Sequence, residues 1–392
     1  PAGMSQDIDL AVVGAGPAGS SAAEAAASAG LCVWLIDKKS EIGSPVQCGG
    51  FLPQERELEK LLPSARLPQT LVEIPERIIL CRTNMQRIYS PSGSSKQFPV
   101  AGRVLDRRAF DRHLVHRAAV SGARILPATR ARLIEGQLHL FGRFSGLVRP
   151  RVIIGADGPH SMVSRAMGNP VQEMGICLEY EMVDVDIDPD AAEMYFSARF
   201  APGGYAWIIP LGRDCANVGV GVRASYLSGQ RLPQILDRFI AEHPVAREKL
   251  AGGEAIAVMR GAVPAGGSPP AICKESCLLA GDAAGQVMAT SGGGIPLAVL
   301  GGRIAGEMAA GYLQKGEPLE DYPSRIGREF GVQLSRSVQI RRMVDVAMKS
   351  DTLMNSLFAA LSPAQMKSVM RAQIPELFRS RAWAGEEAYQ QR

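Results

Sequence analysis

The stretch from Ile8 to Asp37, IDLAVVGAGPAGSSAAEAAASAGLCVWLID, constrains the fold more than any other. An apolar run, Ile8 to Val13, ends at Gly14-Ala15-Gly16-Pro17-Ala18-Gly19, passes into an alanine-rich segment, and returns as a second apolar run closed by Asp37. The pattern predicts strand, turn, helix and strand. Its glycines match G-x-G-x-x-G with one task each: Gly14 makes the tight turn, Gly16 lets a pyrophosphate approach the backbone, and Gly19 allows close packing of helix on strand. The helix N-terminus then faces the phosphates. Asp37, 18 residues after Gly19, stands where an acid accepts hydrogen bonds from ribose hydroxyls. Because strand, helix and acid accompany the glycines, a dinucleotide site outweighs an ordinary glycine turn. Ala18, Ala22, Ala25, Ala26 and Ala29 read as a packing face.

A chain of 392 residues exceeds one typical core, so two interleaved domains are expected. The net charge of +4, spread along the chain, speaks against a nucleic-acid partner and permits weak attraction to anionic lipid headgroups or cofactors. No apolar run approaches the ~20 residues needed to span a bilayer. Asp7 and Asp9 stand where a secretory leader would need basic and apolar residues, and Pro1-Ala2-Gly3 ahead of Met4 read as an extraneous remnant. The seven cysteines are scattered without a C-x-x-C pair, and Cys273 and Cys277 have no histidine beside them, so neither a disulfide framework nor a metal site is expected. A cytoplasmic protein fits these features.

After Asp37 the glycine and proline density of Lys38 to Phe51 forbids regular structure. A long irregular segment directly after a nucleotide-binding strand is expected to lie over the cofactor. Cys48 is its reactive side chain, read either as a small buried thiol or as a group near a redox centre that donates a proton or shapes the pocket. A charged helix, Gln54 to Leu62, and alternating segments around 77–81 and 87–90 resemble the start of an antiparallel sheet. From Val104 the pattern turns helical, with Phe110, Leu114, Val115 and Ala118 on one face. Asp106-Arg107-Arg108 at its start offer a cap and guanidinium groups, either for a phosphate or for surface ion pairs.

A buried strand then runs into Gly155-Ala156-Asp157-Gly158. Asp157 is placed to meet ligand hydroxyls or to orient a backbone loop, with a simple turn as the plainer reading. Strand-like patterning returns over 175–185, 193–200, 205–211 and 217–222, a spacing that suggests a meander. Tyr205 and Trp207, two apart, share a strand face and make either core or one wall of an apolar pocket. Ser276 to Gly285 repeats the design of apolar strand, glycine and acid, with Gly281-Asp282 at its end. Gly292-Gly293-Gly294 then lead through Ile295-Pro296 into a small-residue helix, a donor-rich start that suits an electron-rich ring oxygen or an anionic reduced flavin. Beyond Asp321 the chain is helical. Its Arg325, Arg328, Arg336, Arg341 and Arg342 form a solvated basic face or, alternatively, one that meets a membrane surface.

Taken together, Gly14-x-Gly16-x-x-Gly19 with Asp37, Gly155-Ala156-Asp157-Gly158, and Gly281-Asp282 resemble the para-hydroxybenzoate-hydroxylase-like flavoprotein superfamily. Within it the chain is similar to the geranylgeranyl reductase family, through residues 42–49, 107–111, Ser161-x-Val163-x-Arg165, Gly204-Tyr205-x-Trp207-x-x-Pro210, 282–285 and 292–295. The likeness covers nearly the whole chain, weakening over 54–99 and after about 350. It implies an α/β fold in which a Rossmann-type FAD-binding domain (4–58, 100–170 and 255–320) is interleaved with an antiparallel-sheet substrate domain (59–99 and 171–254) and followed by a C-terminal helical region (321–392).

By that resemblance Gly14, Gly16, Pro17, Ala18, Gly19, Asp37 and Lys38 hold the ADP half of FAD. Arg103 and Arg107 approach its phosphate–ribityl region, joined by Asp157 and Gly158, and Gly281-Asp282 meets a ribityl hydroxyl. Cys48, Gly49, Gly293, Gly294 and Ile295 lie beside the isoalloxazine. Cys48, Tyr205 and Trp207 are the implied catalytic residues, the two aromatics lining a prenyl tunnel. The implied activity saturates isolated C=C bonds of a prenyl lipid or prenyl diphosphate by flavin hydride transfer. NAD(P)H or a ferredoxin is the implied transient donor, since no second G-x-G-x-x-G unit exists. The alternatives are a flavin monooxygenase or halogenase, a menaquinone-tail reductase, and a FAD-binding assembly or sensing protein. Many archaeal members of the family carry Cys-Gly-Glu where this chain has Cys48-Gly49-Gly50.

Overall fold

Short apolar runs separated by glycine turns cannot bury themselves singly, and here they assemble into two eight-stranded sheets. This is a computed structural model, and it describes residues 6–373. The tripeptide ahead of Met4 and the part of the expected C-terminal helical region beyond 373 lie outside the described residues.

The first sheet contains β1 (Gln6–Val13), β2 (Val33–Ile36), β6 (Arg124–Leu126), β7 (Thr129–Ile134), β8 (Gln137–Gly142), β9 (Gly146–Gly155), β15 (Cys273–Lys274) and β16 (Cys277–Leu279). Its centre, in the order β16-β9-β1-β2-β6, is parallel throughout. Both faces of such a sheet must be covered. On one face pack the helices Pro17–Ser28, Arg107–Val120 and Ile295–Lys315, through Ala22, Ala26, Phe110, Leu114, Val299 and Ile304. The other face is covered by the β7–β8 hairpin and the helix Met162–Ala166, through Leu138, Leu140 and Val163. The hairpin turns on Glu135 and Gly136, both at positive φ, as a two-residue turn requires.

The second sheet holds β3 (Phe51–Pro53), β4 (Ile79–Tyr89), β5 (Ser95–Leu105), β10 (Met174–Val183), β11 (Ala191–Tyr195), β12 (Tyr205–Pro210), β13 (Cys215–Arg223) and β14 (Glu254–Pro264), in the order β14-β10-β13-β12-β11-β4-β5-β3. The helix Leu232–Glu242 covers one face through Ile235, Leu236 and Phe239. The other face carries Ile88, Phe98, Met194 and Phe196, against Met354, Phe358, Met366 and Met370 of the C-terminal helices Asp351–Ala360 and Pro363–Met370.

Strand pairing moves two boundaries of the sequence reading. Residues 100–105 continue β5 and pair with β4 across two register shifts, so they belong to the second sheet rather than to the nucleotide-binding part. Residues 255–264 pair with β10 along nearly its whole length, and they too join the second sheet. The expected meander holds for β11, β12 and β13, whereas β10 pairs with β13 and β14. The C-terminal basic face is partly consumed by ion pairs: Arg325 meets Glu307 and Arg341 meets Glu173.

Candidate active site

Three adjacent parallel strands end at one level. Val13 of β1 is opposite Gly155 of β9, and Gly155 is opposite Leu279 of β16. The three glycine-and-acid turns that follow these strands therefore meet along one edge, the place where open α/β sheets bind ligands. Gly14 has φ +102°, and a Cβ there would lie 2.2 Å from the Ala156 carbonyl oxygen. One on Gly19 would lie 1.7 Å from the Gly14 oxygen, and one on Gly281 2.8 Å from the Ala18 Cβ. These glycines lock the turns to each other. Gly16 differs: nothing stands within 4 Å of its Cβ position. It caps the helix Pro17–Ser28 with no side-chain hydrogen bond and no acid in the first turn, leaving donors that face open space.

The acids divide by what their oxygens do. Asp37 accepts from the Ala15 N–H at 2.7 Å and the Lys39 N–H at 2.7 Å, bracing the glycine turn from β2, with Lys38 exposed beside it. Asp157 accepts from Ser161 Oγ at 2.5 Å and the Met162 N–H at 2.6 Å. Each oxygen thus helps to start the helix Met162–Ala166, the loop-orienting one of the roles expected for it. Its neighbour Gly158 turns the chain at φ +82°. Asp282 has no side-chain hydrogen bond among the described residues and lies against Gly294. Burial pushes its pKa up to about 6, opposed by Arg107.

Arg107 opens its helix beside Asp111, with Nη2 at 2.9 Å from Oδ1, and lies against the Cys48 thiol. Burial alone would lower its pKa, but Asp111 and Cys48 outweigh burial and hold the guanidinium above its usual value. Arg103 was expected near the cofactor. Its guanidinium instead donates to the carbonyls of Leu71 at 2.8 Å and Val72 at 3.0 Å, tying β5 to the helix Gln69–Val72 whose last carbonyls lack partners.

The irregular segment after Asp37 does lie across the site. A Cβ on Gly43 would meet the Arg108 carbonyl at 2.8 Å, and one on Gly261 of β14 would lie 3.2 Å from the Gln47 oxygen, so the segment bridges the two sheets. Gly50 has φ +78°, and a side chain there would strike the Leu105 oxygen at 2.4 Å. An acid in the third place of Cys48-Gly49-Gly50 would therefore require a different local backbone from the one this chain adopts.

Opposite the turns, Tyr205 and Trp207 project from β12 with ring centroids 5.8 Å apart. Tyr205 donates from its hydroxyl to the Ser291 carbonyl at 2.5 Å and covers Gly292, which places the aromatic wall against the glycine run before Ile295. Trp207 lies over Gly219, where a Cβ would be 2.3 Å from the indole. Its Nε1 donates to Asn217 Oδ1 at 2.7 Å, and Asn217 Nδ2 donates to Glu179 Oε2 at 2.9 Å. Burial pushes Glu179 up to about 7, opposed by the Asn217 hydrogen bond and by Arg107.

Cys48, Glu179, Tyr205, Trp207 and Gly293 line one cavity of about 320 Å³. A second, of about 290 Å³, lies among the C-terminal helices, and Phe196, Ala289, Thr290, Arg341, Met348 and Met370 are walls of both. Sequence reasoning missed Cys177, Glu179 and Asn217. A glutamate two residues from a cysteine in a largely apolar strand that also carries Glu181, and two glycines two apart opposite the aromatic pair, were the available signals. No cluster among the described residues could hold a metal ion.

These residues fit FAD. The uncapped donors at Gly16 sit over empty space, as a pyrophosphate requires, and Asp282 presents an unpartnered carboxyl beside the bare backbone of Gly293 and Gly294.

Comparison with known proteins agrees. Residues 173–263 match the model of the geranylgeranyl reductase catalytic domain, and residues 12–50 that of a NAD(P)-binding Rossmann-like domain. The chain is 37% identical to digeranylgeranylglycerophospholipid reductase 2 of Methanopyrus kandleri over 83% of each chain. It is 33% identical to the digeranylgeranylglycerophospholipid reductase of Methanocella arvoryzae, over 93% of this chain and 94% of the relative. Among solved structures, a geranylgeranyl bacteriochlorophyll reductase-like protein of Thermoplasma acidophilum superposes with a TM-score of 0.81 at 28% identity, covering 94% of this chain and 96% of that one. The flavin-dependent brominase Bmp2, at 15% identity and a TM-score of 0.71 over 98% of this chain and 99% of its own, shares the fold alone. With relatives this similar matched over most of both chains, the chain belongs to the geranylgeranyl reductase family of FAD-dependent oxidoreductases.

Proposed function

We propose that the protein saturates isolated C=C bonds in the prenyl chains of a geranylgeranyl lipid, working in the cytoplasm against a membrane. The observation that carries this reading is the pair of adjoining apolar cavities, which begins at Cys48-Gly49 and the glycine run before Ile295 and runs between the aromatic wall and methionine-rich helices. A small polar chamber would suit an aromatic substrate of a monooxygenase, and a long apolar one suits a prenyl chain. The names of the relatives point the same way.

Gly14, Gly16, Pro17, Ala18 and Gly19 would hold the FAD phosphates, with Asp37 and Lys38 at the adenosine ribose. Arg107 and Asp282 would meet the phosphate–ribityl region, and Gly49, Gly293, Gly294 and Ile295 the ring. Bound and reduced, FAD supplies hydride chemistry. An isolated alkene has no polarising group, so the chain must add orientation, dryness and a proton. Tyr205 and Trp207 orient the prenyl chain and exclude water. Cys48 gives the proton from Sγ, and the Arg107 guanidinium beside it stabilises the thiolate left behind. Glu179 holds a second proton on the same wall up to neutral pH. NAD(P)H or a ferredoxin is the proposed reductant.

Anaerobic reduction of the flavin-loaded protein followed by addition of a geranylgeranyl lipid tests the reading. Product mass is expected to rise by two hydrogens per saturated bond as the flavin reoxidises. A flavin that stays reduced, with unchanged lipid, defeats it. A menaquinone run in parallel decides whether its prenyl tail competes.

A further inference from the structure

Three of the side chains that line the second cavity are themselves exposed: Met343 at 44%, Val346 at 65% and Leu353 at 48%. A residue that faces both a cavity and solvent is part of its rim. The second cavity therefore opens to the surface between the end of the helix Val332–Val344 and the start of Asp351–Ala360. Three large apolar side chains around an apolar opening need an occupant outside the pocket.

The charges beside the opening are sorted by sign. From 342 to 353 the ionisable residues are Arg342, Asp345, Lys349 and Asp351. Both acids are turned inward. Asp345 binds Arg223 at 2.6 and 2.9 Å, and Asp351 accepts from the Ala198 N–H at 2.6 Å and Ser197 Oγ at 3.1 Å. Arg342 and Lys349 are exposed. The rim thus presents apolar side chains with cations among them, the pattern of a surface that enters an anionic lipid interface.

We propose that this rim docks the protein on an anionic phospholipid bilayer, and that the second cavity is the port through which a prenyl chain passes from the membrane towards Cys48. The proposal rests on the prenyl-lipid reading above. A second copy of the chain is a poorer occupant, because a two-fold contact would set Arg342 and Lys349 against their own duplicates. Residues 374–392, with three acids and three arginines, bring no net charge to complement the rim.

The test uses the full-length, flavin-loaded protein, sedimented with vesicles of phosphatidylcholine alone or mixed with phosphatidylglycerol. The wild type is expected to bind the mixed vesicles. Arg342→Glu with Lys349→Glu lowers that binding about tenfold or more, and Val346→Asp lowers it separately. The charge-reversed variant keeps its rate on detergent-dispersed geranylgeranyl lipid and loses rate on the same lipid in vesicles. A wild type that reduces the dispersed lipid and ignores the vesicles overturns the port and leaves the activity standing. Variants that bind like the wild type also overturn it. Variants that change the oligomeric mass and leave vesicle binding intact assign the rim to a second copy and overturn it likewise. Absence of reduction in either format defeats the underlying activity, while the vesicle binding still judges the docking.

Discussion

Glu179 has a carboxyl that is almost fully buried, bonded to Asn217 and placed on the wall that carries Trp207. Burial raises its pKa from 4.5 to about 7. The native state then keeps a proton that the unfolded state releases from about pH 4.5 upward. Its contribution to stability is whole below pH 4.5, falls as pH rises towards 7, and is gone above, a change of about 3 kcal/mol. Glu179→Gln should therefore flatten the decline of the unfolding midpoint between pH 5 and pH 8 relative to the wild type, as thermal denaturation at each pH would show. His243, buried and lowered to about 4, works in the opposite direction, losing stability as pH falls from 6.5. It is common to both proteins and cancels in the difference.

Cys48 belongs to the same scale. Cys48→Ala should leave bound flavin unchanged and lower single-turnover saturation of a prenyl lipid about a hundredfold or more, the size of a lost proton donor. An unchanged rate would move that role to water or to Glu179. The glycine turns and the pairing of Tyr205 with Trp207 were legible in the sequence because their spacing carries their meaning, whereas Cys48 stood out only as the reactive side chain of an irregular segment. Glu179 and Asn217 were not, because they meet only when β10 and β13 pair across 38 residues of chain. Arg103 misled for a related reason: a guanidinium that closes a helix has the same composition as a ligand contact.

Among elements, the contact that holds the site is between the helices Pro17–Ser28 and Ile295–Lys315. A Cβ on Gly302 would lie 2.0 Å from the Ala18 oxygen, and one on Gly306 2.3 Å from the Ala22 oxygen. Backbone at that distance cannot give way, so Gly302→Ala must push the helices apart and with them the turns at Gly16 and Asp282. A loss of about 1–3 kcal/mol in urea unfolding is expected, together with weaker FAD retention. Gly16→Ala is the contrasting case. Its φ of −77° suits alanine and its surroundings are open. The apo protein should unfold within about 0.5 kcal/mol of the wild type, while flavin titration shows affinity reduced tenfold or more. Equal flavin affinity in the two proteins would remove the pyrophosphate from this turn. The alanine-rich helix was readable from composition, whereas its partner Gly302 became meaningful only once a helix some 280 residues later lay across it. Likewise β14 went unread in the sequence, because an edge strand with Ile256 and Val258 exposed lacks the buried alternation that announces a strand.

At the scale of the molecule, the parallel sheet supplies the turns, the second sheet the aromatic wall, and the C-terminal helices the continuation of the cavity. The first two are written in motifs. The third is written in methionines and leucines that would suit any helical core, so a channel could not be told from packing until Met348 and Met370 proved to be walls of two cavities. Ala289 stands at their junction, with its N–H bonded to Ser337 Oγ at 3.0 Å. If a prenyl chain reaches Cys48 through the second cavity, filling the junction must obstruct it whatever its length. Ala289→Phe should reduce kcat/KM about tenfold or more on a geranyl lipid and a geranylgeranyl lipid alike, the order expected when an apolar pocket is obstructed. Unchanged rates on both chains would mean that the substrate never crosses the junction, and the methionine-lined helices would then be core and nothing else.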